Sequence, residues 1–236
     1  MLMPFLPPKP PSPQPAPPEQ GLTLIECLVA IVMVALVAGS IAPVMVISVA
    51  SRVNSQKAEQ ALGIAQAELD RTRTLVAQGN YATADLPPVG NKTGGTITEQ
   101  DDISSVLGPN LTAPSTSFAF AAPVEINGDN QNDFLVQRFR SPGYTATGAT
   151  APMAFSMGVR VYDSQATGPG NLPTEVASLG LTGGTGERTQ RPLAALYTTI
   201  AVGDQDGSLC DLIRYFNSQQ STPVSEATLD LPPTCL

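Results

Sequence analysis

One acidic side chain stands inside a long apolar segment near the N-terminus. The segment from Leu22 to Ala50 reads LTLIECLVAIVMVALVAGSIAPVMVISVA, and Glu26 is the one side chain in it that is charged at neutral pH. A charge in hydrocarbon is costly unless it is paired. We therefore expect Glu26 to require a cationic partner. The alternative is an incidental carboxylate that is protonated or that reaches the membrane interface.

The residues directly before this segment form a candidate cleavage site. Glu19 and Gln20 are polar, and the next residue, Gly21, is small and flexible. Because glycine leaves the backbone free to adopt many conformations, a peptidase could cut the chain between Gly21 and Leu22. The boundary therefore predicts processing at this point.

The composition excludes several kinds of site. The 236 residues include no histidine, which removes imidazole bases, HExxH zinc helices and Ser/His/Asp or Cys/His pairs. Lys and Arg number 12 against 20 Asp and Glu, a net charge of -8, so the chain offers no broad cationic surface to nucleic acid. We expect no enzyme built on those parts and no nucleic-acid-binding protein.

A segment between two candidate strands has an alternating pattern of oxygen-bearing side chains. These side chains are Asn127, Asp129, Gln131 and Asp133. Calcium loops use such alternation to surround a hard cation, but Asn130 replaces the usual glycine and Val136 the bidentate glutamate. A weak calcium site is one interpretation, and an Asx-rich turn that leads into the next strand is the simpler one. No other cofactor is expected.

The apolar segment is long enough to cross a membrane as one helix. As a helix it would be about 43 Å long, against roughly 30 Å for the hydrocarbon core. It is also longer than the apolar region of a secretory signal, which spans about 7 to 15 residues. We interpret residues 1–21 as an extended Pro-rich leader and residues 22–50 as a membrane-spanning helix that is interrupted or bent near Gly39 and Pro43.

Residues 51–78 continue this helix with an amphipathic pattern. Small or apolar residues recur at alternating three- and four-residue spacing, at Ser55, Ala58, Leu62, Ala65, Leu69, Thr72 and Val76. The charged residues fall on the remaining faces, at Lys57, Glu59, Glu68, Asp70, Arg71 and Arg73. The pattern predicts one face packed on a globular head. Gly79 is expected to end the helix after Gln78.

Residues 79–236 are predicted to form this head, which is rich in β-strands. Apolar residues alternate with others in segment 155–162, which predicts a strand with one buried face. Segment 193–202 has a similar pattern, and segments 118–124 and 134–139 are shorter candidates. Three or four antiparallel strands packed on the amphipathic helix predict an α+β fold.

The N-terminal residues resemble the signature of the type IV pilin and pseudopilin family. In that signature a cytoplasmic leader ends in glycine, an apolar residue follows, and glutamate is the fifth residue after the cut. The corresponding residues here are Gly21, Leu22 and Glu26. Pro43 also lies where many family members have a helix-kinking proline. The resemblance covers residues 19–78.

Within the family, three stretches are most similar to cyanobacterial pseudopilins linked to hormogonium polysaccharide secretion. They are GLTLIECLVAI, Phe155 to Tyr162 and Leu193 to Ile200. This likeness implies a minor pilin or pseudopilin in a type IV pilus or a type II secretion-like filament that supports polysaccharide secretion and gliding motility.

The resemblance also implies a processing route, partners and a location. A prepilin peptidase is expected to cleave after Gly21 and to N-methylate Leu22, and the new amine would pair with Glu26 of a neighbouring subunit. Such a pair sets register more than strength. The expected partners are other pilins, through the N-terminal helix, and the inner-membrane assembly platform. The chain would span the inner membrane once, with a cytoplasmic N-terminus, before it enters a periplasmic or extracellular filament.

The three cysteines have different expected roles. Cys27 lies in the apolar segment, where a thiol behaves as a small apolar group. Cys210 and Cys235 flank the last segment of the exported head, and an oxidising compartment favours a disulfide between them. The bridge would resemble the C-terminal disulfide-bounded loop of type IV pilins, and two free thiols are the alternative.

Two other functions remain open beside that of a filament subunit. A single-pass membrane-anchored binding protein or adhesin would keep its leader and act as a free monomer. An enzyme ranks below both, because no nucleophile and base are visible as a pair in the sequence.

Overall fold

The chain consists of two compact units, Met1–Ile47 and Ser48–Leu236. The computed structural model describes residues 21, 23–146, 148–178, 189–202, 208–219 and 229–235. The leader residues 1–20 and Leu22, which carry the expected cleavage and methylation, lie outside the described residues.

A single helix, α1, is the longest element. It extends over Leu24–Ala77 and continues through Gly39 and Pro43, so the expected interruption is wrong and a bend stays a prediction. Because proline has no N–H group, the Gly39 carbonyl lacks the donor that a helix provides four residues on. The helix ends at Ala77, one residue before the expected end at Gln78, and Gly79 terminates it as expected, with a φ of 70° and an N–H that donates to the Val76 carbonyl.

Four antiparallel strands form the sheet of the head. A small hairpin of β1 (Asn91–Lys92) and β2 (Gly95–Thr96) precedes β3 (Ala121–Val124), β4 (Phe134–Arg140), β5 (Ala154–Asp163) and β6 (Ala194–Ala201). The sheet has the order β3-β4-β5-β6, in which each strand pairs with the next along the chain. A short helix, α2 (Ser208–Ser218), follows the sheet. The α+β fold and the four strands are confirmed, whereas α2 was not predicted from the sequence.

The second half of α1 packs on the sheet, with a buried stripe that differs from the predicted one. Its buried residues are Ala61, Ala65, Leu69, Thr72 and Val76. The expected positions Ser55 and Leu62 are exposed instead. The predicted spacing averaged 3.5 residues, and such a repeat drifts by about 20° per heptad around a straight helix with 3.6 residues per turn. The predicted stripe is therefore correct near the end of the helix and wrong near the start of the amphipathic half.

Strand β5 is buried on both faces, so the expectation of one buried face is wrong. Phe155, Met157, Val159 and Val161 join the core under α1, as predicted. On the opposite face Arg160 and Tyr162 are fully buried. Segments outside the sheet cover this face: Arg160 donates to the Ser104 and Val106 carbonyls, and Tyr162 to the Pro173 carbonyl.

Three charged residues of α1 contact the sheet. The ties are Lys57 Nζ to Asp163 Oδ2 at 2.7 Å, Arg138 Nη1 to Glu68 Oε2 at 3.2 Å, and Arg73 Nη2 to Thr198 Oγ1 at 3.1 Å. The charged residues of the helix therefore help to hold it on the sheet.

Candidate functional site

Thr23 sets the start of α1. Its Oγ1 accepts the N–H of Glu26 at 3.3 Å, and its carbonyl accepts the N–H of Cys27 at 3.1 Å, so Thr23 is the N-cap. This cap was not among the residues predicted from the sequence. The available signal was a threonine three residues before a glutamate at the edge of an apolar run, which is the pattern of a capping box.

Glu26 therefore lies in the first turn of α1. Its side chain is exposed and makes neither a hydrogen bond nor an ion pair with any residue that the structure describes. The positive end of the helix dipole stabilises a carboxylate here by only about 0.3 to 1 kcal/mol, which is less than the cost of a charge in hydrocarbon. No described residue is a partner for this carboxylate, so the expected ion pair of Glu26 stays a prediction.

The first half of α1 presents apolar surface on all its sides. Every side chain described between residues 21 and 50 is exposed, including Leu24, Ile31, Val34 and Val46 at 64% or more. By length and composition, α1 is the one helix in the described chain that could cross a membrane. This apolar surface needs either a bilayer or other helices to cover it.

The C-terminal disulfide is confirmed. Cys210, in α2, is bonded to Cys235, with their Cα atoms 5.5 Å apart. Arg214 reinforces this closure, because its Nη2 donates to the Cys235 carbonyl at 2.9 Å. Two hydrogen bonds between Asn217 and the backbone of Leu229 hold the two ends of the loop together as well.

Helix α2 is anchored to the sheet through a buried phenol. The Tyr215 hydroxyl donates to Ser156 Oγ at 2.7 Å and lies 3.2 Å from Ser141 Oγ. Ser141 in turn donates to the Glu99 carboxylate. Burial raises the pKa of the Tyr215 hydroxyl, against the effect of these hydrogen bonds, so it stays a neutral donor. The disulfide loop is thus joined to the same sheet that packs on α1.

Replacing both Cys210 and Cys235 by alanine is expected to lower the free energy of unfolding of the head by about 3 kcal/mol, because the unfolded chain gains the freedom that a loop of this length removes. Urea unfolding of the full chain in detergent, followed by near-UV circular dichroism, measures this change. Cys27→Ala is the control, since this exposed thiol is outside the head. Equal midpoints for the double variant and the control would contradict the prediction.

The proposed calcium residues form hydrogen bonds within the β3–β4 connection. The N–H of Asp129 donates to Asn127 Oδ1 at 3.0 Å, that of Gln131 to Asp129 Oδ1 at 2.8 Å, and that of Ile126 to Asp133 Oδ2 at 2.9 Å. The first two bonds are those of Asx turns, and the third joins the two ends of the connection. Among the described residues there is no group of three or more Asp, Glu, Cys or His suited to a metal. Calcium binding stays a prediction, and the turn accounts for these side chains without it.

The comparisons with known proteins concern the N-terminus. Residues 17–42 match the family model described as "Prokaryotic N-terminal methylation motif". Searches of curated proteins and of solved structures find no match. The motif is the type IV pilin-type prepilin signal, so it supports the type IV pilin and pseudopilin family. It implies processing by prepilin peptidase and assembly with other pilins, and together with the apolar helix it indicates membrane anchoring.

Proposed function

We propose that the chain is a non-enzymatic filament subunit, a minor pilin or pseudopilin of a type IV pilus or a type II secretion-like filament. The observation that carries this proposal is the methylation motif at residues 17–42, joined to a helix whose first half is exposed and apolar. The α+β fold, with the rest of that helix packed on a sheet, is consistent with it. The head would be displayed on the filament while the apolar half enters its core.

The assembly contact of this proposal is an ion pair between copies. Cleavage after Gly21 gives Leu22 a cationic amine, which pairs with Glu26 of a neighbouring subunit. The Thr23 cap defines where the helix starts and thereby places Glu26 in its first turn.

A more specific role for the filament is suggested by the likeness to cyanobacterial pseudopilins of hormogonium polysaccharide secretion. We propose that the filament supports polysaccharide secretion and gliding motility. The precursor would sit in the inner membrane with its N-terminus in the cytoplasm, in contact with the prepilin peptidase and the assembly platform.

The second candidate is a single-pass anchored binding protein or adhesin that acts alone. The exposed apolar half of α1 is compatible with it, because a bilayer alone can cover that surface. This candidate predicts an uncleaved N-terminus and a free monomer, which makes the two functions separable by one measurement.

That measurement is the intact mass of the protein extracted from membranes. We expect residues 1–21 to be missing and one methyl group to be present on Leu22, because the motif directs both reactions. Cells that lack the prepilin peptidase provide the control and should yield the full-length, unmethylated chain. A full-length mass from cells with an active peptidase would exclude the filament subunit and favour the anchored monomer.

A further inference from the structure

A cleft of about 1040 Å³ lies within the head beside the end of α1. Its walls are the last turns of α1, the segment 83–89 and residues 115–120, and alternate residues of β4 line it, namely Val136, Arg138 and Arg140. Ligand pockets commonly measure about 300 to 1,000 Å³. The cleft therefore has room for a ligand of several linked rings.

The cleft is cationic although the chain is acidic. Three of its lining residues are arginines, Arg71, Arg138 and Arg140, and two are acids, Glu68 and Asp85. The whole chain, in contrast, has a net charge of -8. Glu68 already pairs with Arg138. This excess of positive charge favours an anionic ligand.

Arg140 has one buried donor without a partner in the described part of the chain. Its side chain is almost completely buried, and its Nη1 donates to the carbonyls of Ser141 and Pro142 at 2.9 and 2.7 Å. Its Nε has no hydrogen-bond partner within the described chain. Burial lowers the pKa of the Arg140 guanidinium, and the nearby Glu99 carboxylate opposes this effect. Arginine is the side chain that pairs most strongly with a carboxylate, so a buried guanidinium donor without a partner favours an anionic group nearby.

Other lining groups are also available to a ligand. Arg71 makes no ion pair with any described residue, and the side chains of Gln78, Ser115 and Thr116 make no hydrogen bond with the described part of the chain. An amide and two hydroxyls both donate and accept, as the hydroxyls of a sugar require. The ring of Phe120 adds an apolar contact of the kind that a sugar ring can use.

A bound peptide strand fits the cleft less well than a sugar. Peptides often add to an exposed strand edge through main-chain hydrogen bonds. Here the β4 edge at Arg140 is occupied, because its N–H donates to the Pro88 carbonyl at 3.0 Å and its carbonyl accepts the Gly90 N–H at 2.9 Å. Recognition in the cleft is left to side chains.

We propose that this cleft binds an acidic oligosaccharide, a chain of uronate units. Its carboxylates would contact Arg71 and Arg140, and its hydroxyls would bond to Gln78, Ser115 and Thr116. The proposal concerns a ligand of the head, so it stands independently of filament assembly.

The test is calorimetric titration of the full chain, solubilised in a detergent without a sugar headgroup. Tetragalacturonate is the probe, with neutral maltotetraose and tetraglutamate as comparison ligands. We expect tetragalacturonate alone to bind and its affinity to fall with added salt. Arg71→Gln should weaken binding about tenfold, since it removes a charged hydrogen-bond donor. Arg52→Gln, at another exposed position of α1, is the matched control and should leave the affinity unchanged.

Three results would overturn the proposal. One is the absence of tetragalacturonate binding, and a second is an equal effect of the Arg71 and Arg52 substitutions, which would make the binding a general charge effect. The third is binding of tetraglutamate or maltotetraose as tight as that of tetragalacturonate. Equally tight binding of tetraglutamate would indicate an acidic peptide site, and equally tight binding of maltotetraose would indicate a neutral sugar site.

Discussion

Glu26→Ala is expected to leave membrane insertion intact and to reduce incorporation into filaments by about a hundredfold or more. The apolar half of α1 stays long enough to span a bilayer. In the filament, however, the amine at Leu22 of the adjacent subunit would lose its partner, and a buried charge without a partner costs about 3 to 5 kcal/mol. The ratio of protein in sheared filaments to protein in membranes, measured by immunoblot, reports the change.

Thr23→Ala is the control that separates the ion pair from the start of the helix. It removes the Oγ1 acceptor of the Glu26 N–H, a loss of about 1 kcal/mol of helix stability, and keeps the carboxylate. We expect most of the incorporation to persist. Normal assembly of the Glu26→Ala variant would contradict the proposed ion pair. If Thr23→Ala fails as severely as Glu26→Ala, the helix start is the decisive feature instead of the charge.

Arg160→Met is expected to lower the free energy of unfolding of the head by about 3 to 5 kcal/mol, because each buried carbonyl left without a donor costs about 1 to 3 kcal/mol. Arg160 is fully buried and donates to the carbonyls of Val106 and Ser104, each at 2.8 Å, and to the Tyr197 hydroxyl at 2.9 Å. Its guanidinium also lies 4.6 Å from the centre of the Phe139 ring. The relief of a desolvated charge in the variant offsets only part of this loss.

Urea unfolding of the full chain in detergent tests this prediction. All five tyrosines lie in residues 79–236, so near-UV circular dichroism reports the packing of the head and not that of the apolar helix. Arg191→Met is the matched control, because Arg191 pairs with a Glu175 side chain that is 79% exposed, and such a pair contributes about 1 kcal/mol or less. The loss of unfolding free energy for Arg160→Lys should lie between those for Arg160→Met and Arg191→Met. Lysine keeps the positive charge but lacks the planar set of donors of the guanidinium. Equal losses for both methionine variants would contradict a special role for Arg160.

The features that follow from local sequence were predictable. The apolar segment, the glycine that ends α1 and the alternation in β4, β5 and β6 each depend on residues within a few positions of one another. The hydrogen-bonding and packing preferences behind them are those of single helices and strands. The methylation motif is local as well, which is why residues 17–42 could be matched while the comparisons found nothing similar to the whole chain.

Which residues of α1 form the buried stripe could be determined only from its packing on the sheet. A stripe that includes Ser55 and Leu62 and one that includes Ala61 differ by a small rotation of the helix, and both are plausible from the sequence alone. The sheet selects Ala61 and Ala65, both fully buried, because small side chains let the helix approach closely. Lys57 then pairs with Asp163, the last residue of β5.

The sequence by itself determined that this protein has an N-terminal processing motif, an apolar helix and an α+β head, because short-range patterns encode all three. Only the tertiary structure decided that Arg160 is buried, that β5 has no solvent-facing side, and that Arg71, Arg138 and Arg140 share one cleft. The physical reason is that periodicity reports which side of an element is apolar. It does not report which distant loops cover the other side or which charges they bring together.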